Sequence, residues 1–182
     1  LVGIGHLTAS LQIIAELLND FDIDLIYGGI NYANFPKRNG FRVVHLPSLI
    51  FDETGELYSP GQTAIEETWQ LRQKCIHDFL HCPYKGLIIE FYPFGRRKFK
   101  REIQSIIKQV KLRSGEIPVF SQVREILVPT DRAEEQKIMD IINTEIHTVL
   151  VRGDPNVIKF DETFALASQL GDRLFYGGYI SP

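Results

Sequence analysis

The stretch Gly86-Leu87-Ile88-Ile89-Glu90-Phe91-Tyr92-Pro93-Phe94-Gly95-Arg96-Arg97 decides the fold of this chain. It opens on an apolar run without polar alternation, which is typical of a strand buried in a parallel sheet. The run Val149-Leu150-Val151 has the same character. Aromatic and basic residues follow the first run directly, at the position where a parallel strand would end. The sequence therefore predicts a parallel sheet with a polar segment at its carboxyl edge.

Six predicted strands alternate with five predicted helices along the chain. The strands cover residues 23–27, 41–46, 86–91, 118–121, 148–151 and 173–176. The helices cover residues 7–19, 63–81, 97–113 and 132–147, and the last lies within 156–170. Such alternation requires right-handed crossovers and predicts an α/β fold with a Rossmann-like, doubly wound parallel sheet. Residues 47–60 are predicted as a long polar loop, and long loops in compact domains are often functional.

Composition excludes several classes of protein. The chain has 182 residues, a net charge of −3 and 44% hydrophobic residues, so bulk charge does not favour nucleic acid as a partner. No apolar run approaches the roughly 18 residues of a membrane span, and no secretory signal is visible. Cys75 and Cys82 make no disulfide framework, which fits a reducing compartment. We expect a cytoplasmic protein, with peripheral membrane contact as a further expectation.

The residues that follow the predicted strands are the candidate ligand-binding residues, because open parallel sheets bind ligands beyond the carboxyl ends of their strands. They are Gly3, Gly5, His6, Gly28, Gly29, Pro47, Ser48, the segment from Tyr92 to Arg97 with Arg96 and Arg97, the segment from Gln122 to Glu125 with Arg124, and the segment from Arg152 to Asp154. Glu90, near the end of the predicted strand 86–91, is a further candidate. The turn Gly3-Ile4-Gly5-His6 opens a helix, and we expect a buried strand before it. Glycines there let a ligand approach the backbone, and a histidine is a base near neutral pH.

Each of these residues also has a structural interpretation, which the sequence leaves open. His6 can be a helix-start histidine that bonds to backbone. The basic residues around Arg96 and Arg97 can form a solvated face with Glu90 as a buried partner. Arg124 and Glu125 can form a local ion pair, and Asp154 before Pro155 is predicted to cap a helix.

Three other kinds of site are disfavoured. A dinucleotide fingerprint would need glycine at Thr8 and an acid after Tyr27, and the sequence has neither. No glycine-rich turn ends in Gly-Lys-Ser/Thr, as a Walker loop would. His77 and His81 share a helix face that Cys75 does not, and no second ligand pair is present, so we expect no metal site.

Several of these motifs together resemble one family. They are Gly3-Ile4-Gly5-His6, the segment from Glu90 to Arg97, Arg124 before an acid, Val151-Arg152-Gly153-Asp154-Pro155 and the closing Tyr176-Gly177-Gly178-Tyr179. The chain resembles the N-terminal half of the bacterial predicted glycosyltransferases of GT-B fold, which are related to the N-acetylglucosaminyltransferase of peptidoglycan synthesis. The segment Phe94-Gly95-Arg96-Arg97 is the most specific part of this resemblance.

The resemblance implies one half of a GT-B fold. Residues 1–178 would be an N-terminal Rossmann-like domain that lacks its first strand, and residues 179–182 would begin a linker to an absent C-terminal donor-binding domain. This half would hold the acceptor, with His6 as the base or oxyanion support and Arg96 and Arg97 facing an anionic acceptor. Gly3 and Gly5 would face the diphosphate or the acceptor.

The implied function is transfer of a sugar from a nucleotide-sugar, expected to be UDP-linked, to a hydroxyl of the acceptor. No cofactor or metal is expected, the partners are the chain's own C-terminal domain and the two substrates, and the fragment alone is expected to be inactive. Two alternatives stay open. One is a GT-B sugar-nucleotide epimerase, for which Glu90, Glu125 and Asp154 would supply acids. The other is a non-catalytic module that binds an anionic glycan or a partner domain.

Overall fold

The computed structural model describes residues 4–29, 34–60 and 63–179; for residues 4–6 it describes the backbone only. The chain divides into two compact units, Leu1–His81 and Cys82–Pro182. Both units contain parallel strands and helices, so the predicted α/β class is confirmed. The finer expectation, half of a GT-B fold over residues 1–178, stays a prediction.

The first unit contains a pair of parallel strands and two long helices. Its elements are α1 (Ile4–Leu17), β1 (Ile23–Tyr27), β2 (Phe41–His45), β3 (Ile50–Phe51), β4 (Leu57–Tyr58) and α2 (Ile65–Phe79). Strand β1 pairs in parallel with β2, with Ile23 opposite Phe41 and Tyr27 opposite His45. Helix α1 begins at Ile4, which places Gly5 and His6 in its first turn and not in a turn before it.

The predicted loop over residues 47–60 contains a short antiparallel hairpin, formed by β3 and β4. Its turn is stabilised by Asp52, whose Oδ1 accepts hydrogen bonds from the backbone N–H groups of Thr54 and Glu56 at 2.8 and 2.9 Å. Asp side chains often fix turns in this way. Asp52 thus has a structural role in this segment.

The second unit contains a four-stranded parallel sheet. Its elements are β5 (Leu87–Glu90), a 3-10 turn (Arg97–Phe99), α3 (Lys100–Ser114), β6 (Val119–Arg124), α4 (Arg132–Glu145), β7 (Thr148–Arg152), two 3-10 turns (Phe160–Glu162 and Ala167–Arg173) and β8 (Leu174–Tyr176). The strand order is β5-β6-β7-β8. Because each strand lies beside the one before it, right-handed crossovers place the connecting helices on one face of the sheet.

The hydrophobic core of this unit lies on that helix-covered face. It joins sheet residues such as Val119, Val123 and Val149, none of which is exposed, to the apolar faces of α3 and α4. The opposite face, which we call the second face, carries Glu90 and Gln122, since side chains alternate along a strand. A doubly wound sheet has helices on both of its faces. The doubly wound arrangement therefore stays a prediction.

The predicted last helix within residues 156–170 is wrong. Asp154 caps a turn there: its Oδ1 accepts from the backbone N–H of Asn156 at 2.8 Å. Lys159 is then extended, with φ −82° and ψ 141°, and its backbone N–H bonds to the Glu162 carboxylate at 3.1 Å. The extended residue separates the turn at Asp154 from the 3-10 turn that begins at Phe160.

Candidate functional site

A sharply folded loop follows β5 in the second unit. Phe91 and Arg96 both have left-handed backbone conformations, with φ of 65° and 61°, which are uncommon for residues other than glycine. The backbone N–H of Gly95 donates to the Phe91 carbonyl at 2.6 Å. A Cβ atom on Gly95 would lie 2.4 Å from the Phe91 ring, so this turn requires glycine. Strained residues of this kind concentrate at ligand sites.

Two aromatic side chains fix this loop in the core. Tyr92 is 1% exposed and its hydroxyl donates to Glu145 Oε2 at 2.8 Å. Phe94 packs edge to face against Phe160 and Phe164, with ring centroids 5.5 and 5.2 Å away. Burial is the first cause of a raised pKa at Tyr92, and the Glu145 carboxylate adds to it. The loop is therefore a rigid support for the arginines that follow.

Arg96 turns back towards the end of β5. Its Nη2 atom lies 2.9 Å from Oε2 of Glu90, the last residue of that strand. Arg152, the last residue of β7, approaches the same carboxylate, with 4.0 Å between its Nη2 and Glu90 Oε1. The structure thus brings Glu90, Arg96 and Arg152 together, which is the partner role that the structural interpretation of Glu90 describes. Burial lowers the pKa of Arg152, and the Glu90 charge opposes that shift.

Arg124 and Glu125 lie at the end of β6. Arg124 is opposite Arg152 in the register of β6 and β7 and is exposed. The Glu125 side chain packs against the next turn, because a Cβ atom on Gly153 would lie 2.8 Å from Glu125 Cβ. The Glu125 carbonyl accepts a hydrogen bond from the Thr163 hydroxyl at 2.9 Å. Both residues therefore belong to the same edge of the sheet as Glu90.

The Arg97 side chain pairs with helix α4 and not with Glu90. Its Nη2 lies 3.1 Å from Oε1 of Glu134, in the first turn of α4. Glu134 Oε2 also lies 3.3 Å from the Lys137 ammonium. A cavity of about 160 Å³ lies here, and Arg97, Lys100, Glu134 and Lys137 are among its lining residues. Adjacent arginines in the sequence thus serve two separate sites, because Arg96 has a left-handed conformation.

Asp154 follows Arg152 and Gly153 in the chain, and its carboxylate is used locally. Oδ1 bonds to the backbone and side-chain N–H groups of Asn156 at 2.8 and 2.9 Å. Asp154 therefore caps a turn, and the described residues that follow it, 155–179, form no α-helix for it to cap.

In the first unit, Gly28 and Gly29 follow β1, and an arginine that the sequence analysis missed lies beside them. A Cβ atom on Gly28 would lie 2.8 Å from Arg72 Nη2. Arg72 is 2% exposed, and its Nη1 donates to the Pro47 carbonyl after β2 at 2.6 Å. The backbone carbonyl of Gly29 accepts from the Ser48 hydroxyl at 3.2 Å. The glycine at position 28 makes room for a buried guanidinium.

A sequence signal for Arg72 did exist. The buried residues of α2 are Thr68, Arg72 and Ile76, spaced by four positions. A cation on the buried stripe of a helix must have polar partners in the interior. Gly3 and the side chain of His6 lie outside the described residues, so the role expected for His6 stays a prediction.

Among residues 4–29, 34–60 and 63–179, no helix combines the length and apolar character that crossing a membrane requires. Within the same ranges, no three histidine, cysteine or acidic side chains are grouped as metal ligands would be.

Comparisons with known proteins identify no similar protein. No protein-family model, no curated protein and no solved structure matches the chain. The class that the fold and the site define is therefore an α/β protein with a parallel sheet and a charged cluster, Glu90, Arg96, Arg124 and Arg152, at the carboxyl edge of that sheet.

Proposed function

We propose that the chain is the acceptor-binding half of a nucleotide-sugar-dependent glycosyltransferase, and that the charged cluster binds an anionic acceptor. The observation that carries this proposal is the convergence of Arg96 and Arg152 on Glu90 at the ends of β5 and β7. Guanidinium groups bind carboxylates and phosphates through paired hydrogen bonds, and ligands of parallel sheets bind at this edge.

The geometry of the charged cluster supports this function, in addition to its positive charge. Arg96 follows a loop in which Tyr92 and Phe94 are buried, and the Glu90 carboxylate orients its guanidinium before a ligand binds. Arg124 adds an exposed cation at the same edge. The segment from Glu90 to Arg97 also carries the most specific part of the resemblance to the GT-B glycosyltransferases.

In the proposed reaction, the acceptor hydroxyl oxygen attacks the anomeric carbon of the donor sugar. The bond from that carbon to the nucleoside diphosphate breaks, and the diphosphate leaves with the electron pair. The hydroxyl proton passes to a base, for which His6 is our candidate, because an imidazole accepts a proton near neutral pH. The donor is proposed to be UDP-linked and to bind chiefly to a C-terminal domain.

The test measures release of nucleoside diphosphate by the full-length protein from a panel of UDP-sugars, with acidic and neutral saccharides as acceptors. We expect release that depends on an acidic acceptor. Arg96→Gln should lower kcat/KM for that acceptor by about tenfold, the effect of roughly 1.4 kcal/mol. Arg97→Gln is the matched control, since Arg97 pairs with Glu134 and not with Glu90.

Other outcomes would overturn the proposal. No consumption of any donor in the panel would contradict a transferase. Formation of an epimerised sugar without acceptor would favour the sugar-nucleotide epimerase instead. Saccharide binding without turnover in the full-length protein would favour the non-catalytic module.

A further inference from the structure

The cavity of about 160 Å³ beside Arg97 is formed by the loop after β5, the start of α3 and helix α4. Gly95 comes from the loop, and Ile138 and Ile141 come from α4. Side chains at its rim extend into solvent, since those of Arg97 and Lys137 are 54% and 70% exposed. A small ligand can therefore enter this cavity from solution.

Most polar side chains that line the cavity already have partners within the protein. The Tyr92 hydroxyl donates to Glu145 Oε2 at 2.8 Å. The Arg97 Nη2 and Lys137 Nζ atoms lie 3.1 and 3.3 Å from the two oxygens of the Glu134 carboxylate. A single carboxylate thus pairs with both of these cations.

Lys100 is the lining cation that lacks such a pair. Its ammonium makes no ion pair or hydrogen bond with any residue in the part of the chain that the structure describes. Lys100 is also the first residue of α3, where the positive end of the helix dipole disfavours a cation. The ammonium and the helix dipole together favour an anion at this side of the rim.

The size and the walls of the cavity define the kind of anion that fits. A volume of about 160 Å³ is close to that of an apolar cavity, roughly 150 Å³, which holds one benzene molecule. It is below the roughly 300–1,000 Å³ of sites for drug-sized ligands, so a nucleotide does not fit. Ile138 and Ile141 offer carbon atoms only, and an inorganic anion placed against them would lose its hydration without compensation.

We propose that this cavity binds a small organic acid that has an apolar body of about the size of one ring. The body packs against Ile138 and Ile141, and the carboxylate lies at the rim and accepts a charge-assisted hydrogen bond from the Lys100 ammonium. The inference does not rest on the proposed function, because neither Glu90 nor a nucleotide-sugar takes part.

The experiment is a methyl NMR titration of the protein, labelled with ¹³C at the isoleucine δ1 methyl groups, with benzoate and with cyclohexanecarboxylate. We expect saturable shifts of the Ile138 and Ile141 methyl signals, with a Kd on the order of 1 mM for ligands of this size. Benzamide keeps the ring and lacks the charge, whereas acetate keeps the charge and lacks the ring. Each should bind about tenfold more weakly than benzoate, or weaker still.

One variant locates the charge that the ligand meets. Lys100→Gln replaces an exposed side chain and removes a cation from a helix N-terminus, so the fold is kept. It should weaken benzoate binding by about tenfold and leave benzamide binding unchanged. The matched control is Lys108→Gln, at an exposed position on the same helix that is not part of the cavity lining. The control should leave the binding of both ligands unchanged.

Several results would overturn the inference. The Ile126 side chain, 53% exposed after β6, reports non-specific contact, so shifts there as large as those at Ile138 and Ile141 would count against a site. Equal weakening of benzoate binding by Lys100→Gln and Lys108→Gln would do the same.

Two further outcomes would also reject the site. Inorganic phosphate that displaces benzoate and shifts both methyl signals would show a site for bare anions. No shift with either acid at tenfold above the expected Kd of about 1 mM would show that the cavity holds only water. None of these results depends on the UDP-sugar assay, so this inference and the proposed function can fail separately.

Discussion

Gly153 and Glu125 are packed so closely at the ends of β7 and β6 that a Cβ atom on Gly153 would lie 2.8 Å from Glu125 Cβ. The Glu125 backbone cannot yield easily, because its carbonyl accepts a hydrogen bond from the Thr163 hydroxyl. The ends of β6 and β7 can therefore pack this closely only because position 153, next to Arg152, has no side chain.

Gly153→Ala should lower the free energy of unfolding by about 1–3 kcal/mol, since an added methyl group has no space there. Gly177→Ala is the matched control. Gly177 follows β8 as Gly153 follows β7, but its added Cβ would meet only the Val151 carbonyl, at 3.9 Å. Urea unfolding followed by circular dichroism compares the two variants. Equal stability in both would contradict the close packing of Glu125 against Gly153.

Tyr92→Phe should lower stability at neutral pH by about 1–2 kcal/mol. The ring still fills the core, but the hydrogen bond to the Glu145 carboxylate is lost, and bonds to charged groups are worth more than neutral ones. Tyr58→Phe is the control, because Tyr58 is 44% exposed. Urea unfolding at pH 7 measures both changes. An effect at Tyr92 no larger than that at Tyr58 would show that the bond contributes nothing.

The same tyrosine predicts a pH dependence above pH 10. Burial and Glu145 raise the pKa of folded Tyr92 above its ordinary value of 10.0. The unfolded chain therefore loses this proton first, and stability that is fully present below pH 10 is lost as the pH rises further. The difference in stability between the native protein and Tyr92→Phe should shrink by about 1.4 kcal/mol per pH unit above 10. A constant difference up to pH 11 would contradict the raised pKa.

Local patterns in the sequence were sufficient for most of the secondary structure. The strand predicted at residues 23–27 has those bounds in the structure, and the apolar runs around Ile89 and Leu150 are parallel strands. These elements follow from hydrophobic patterning, which is local. The prediction failed at residues 156–170, where apolar spacing does not reveal the extended residue Lys159 or its bond to Glu162.

The candidate site was predictable only in part. Glu90 and Arg96 are six positions apart, and a single turn brings them together. Arg152 and Gln122 come to Glu90 through the order of three strands, which the sequence of each strand does not contain. The different directions of Arg96 and Arg97 likewise depend on one left-handed residue, so a charge pattern alone predicted a common role for both.

Asp131→Ala should lower stability by about 1 kcal/mol through loss of a helix cap. Asp131 Oδ1 accepts from the Glu134 backbone N–H at 2.8 Å at the start of α4, as a residue that caps a helix does. Asp131→Asn, which keeps a side-chain oxygen, should recover most of the loss. Thermal unfolding of the three proteins measures this, and equal destabilisation by Ala and Asn would mean that the cap bond is not the cause.

Arg72→Met should destabilise the first unit by about 1–3 kcal/mol. Methionine fills much of the same space, but the Pro47 carbonyl loses the buried guanidinium that donates to it at 2.6 Å, and an acceptor that is partly shielded from water is costly to leave without a partner. Lys74→Met on the same helix is the control, because that side chain is 73% exposed and its ion pair with Asp78 lies in solvent, where such pairs contribute little to stability. Hydrogen exchange of the β1 and β2 amides reports on this unit separately. Equal protection in the two variants would show that Arg72 does not support the ends of these strands.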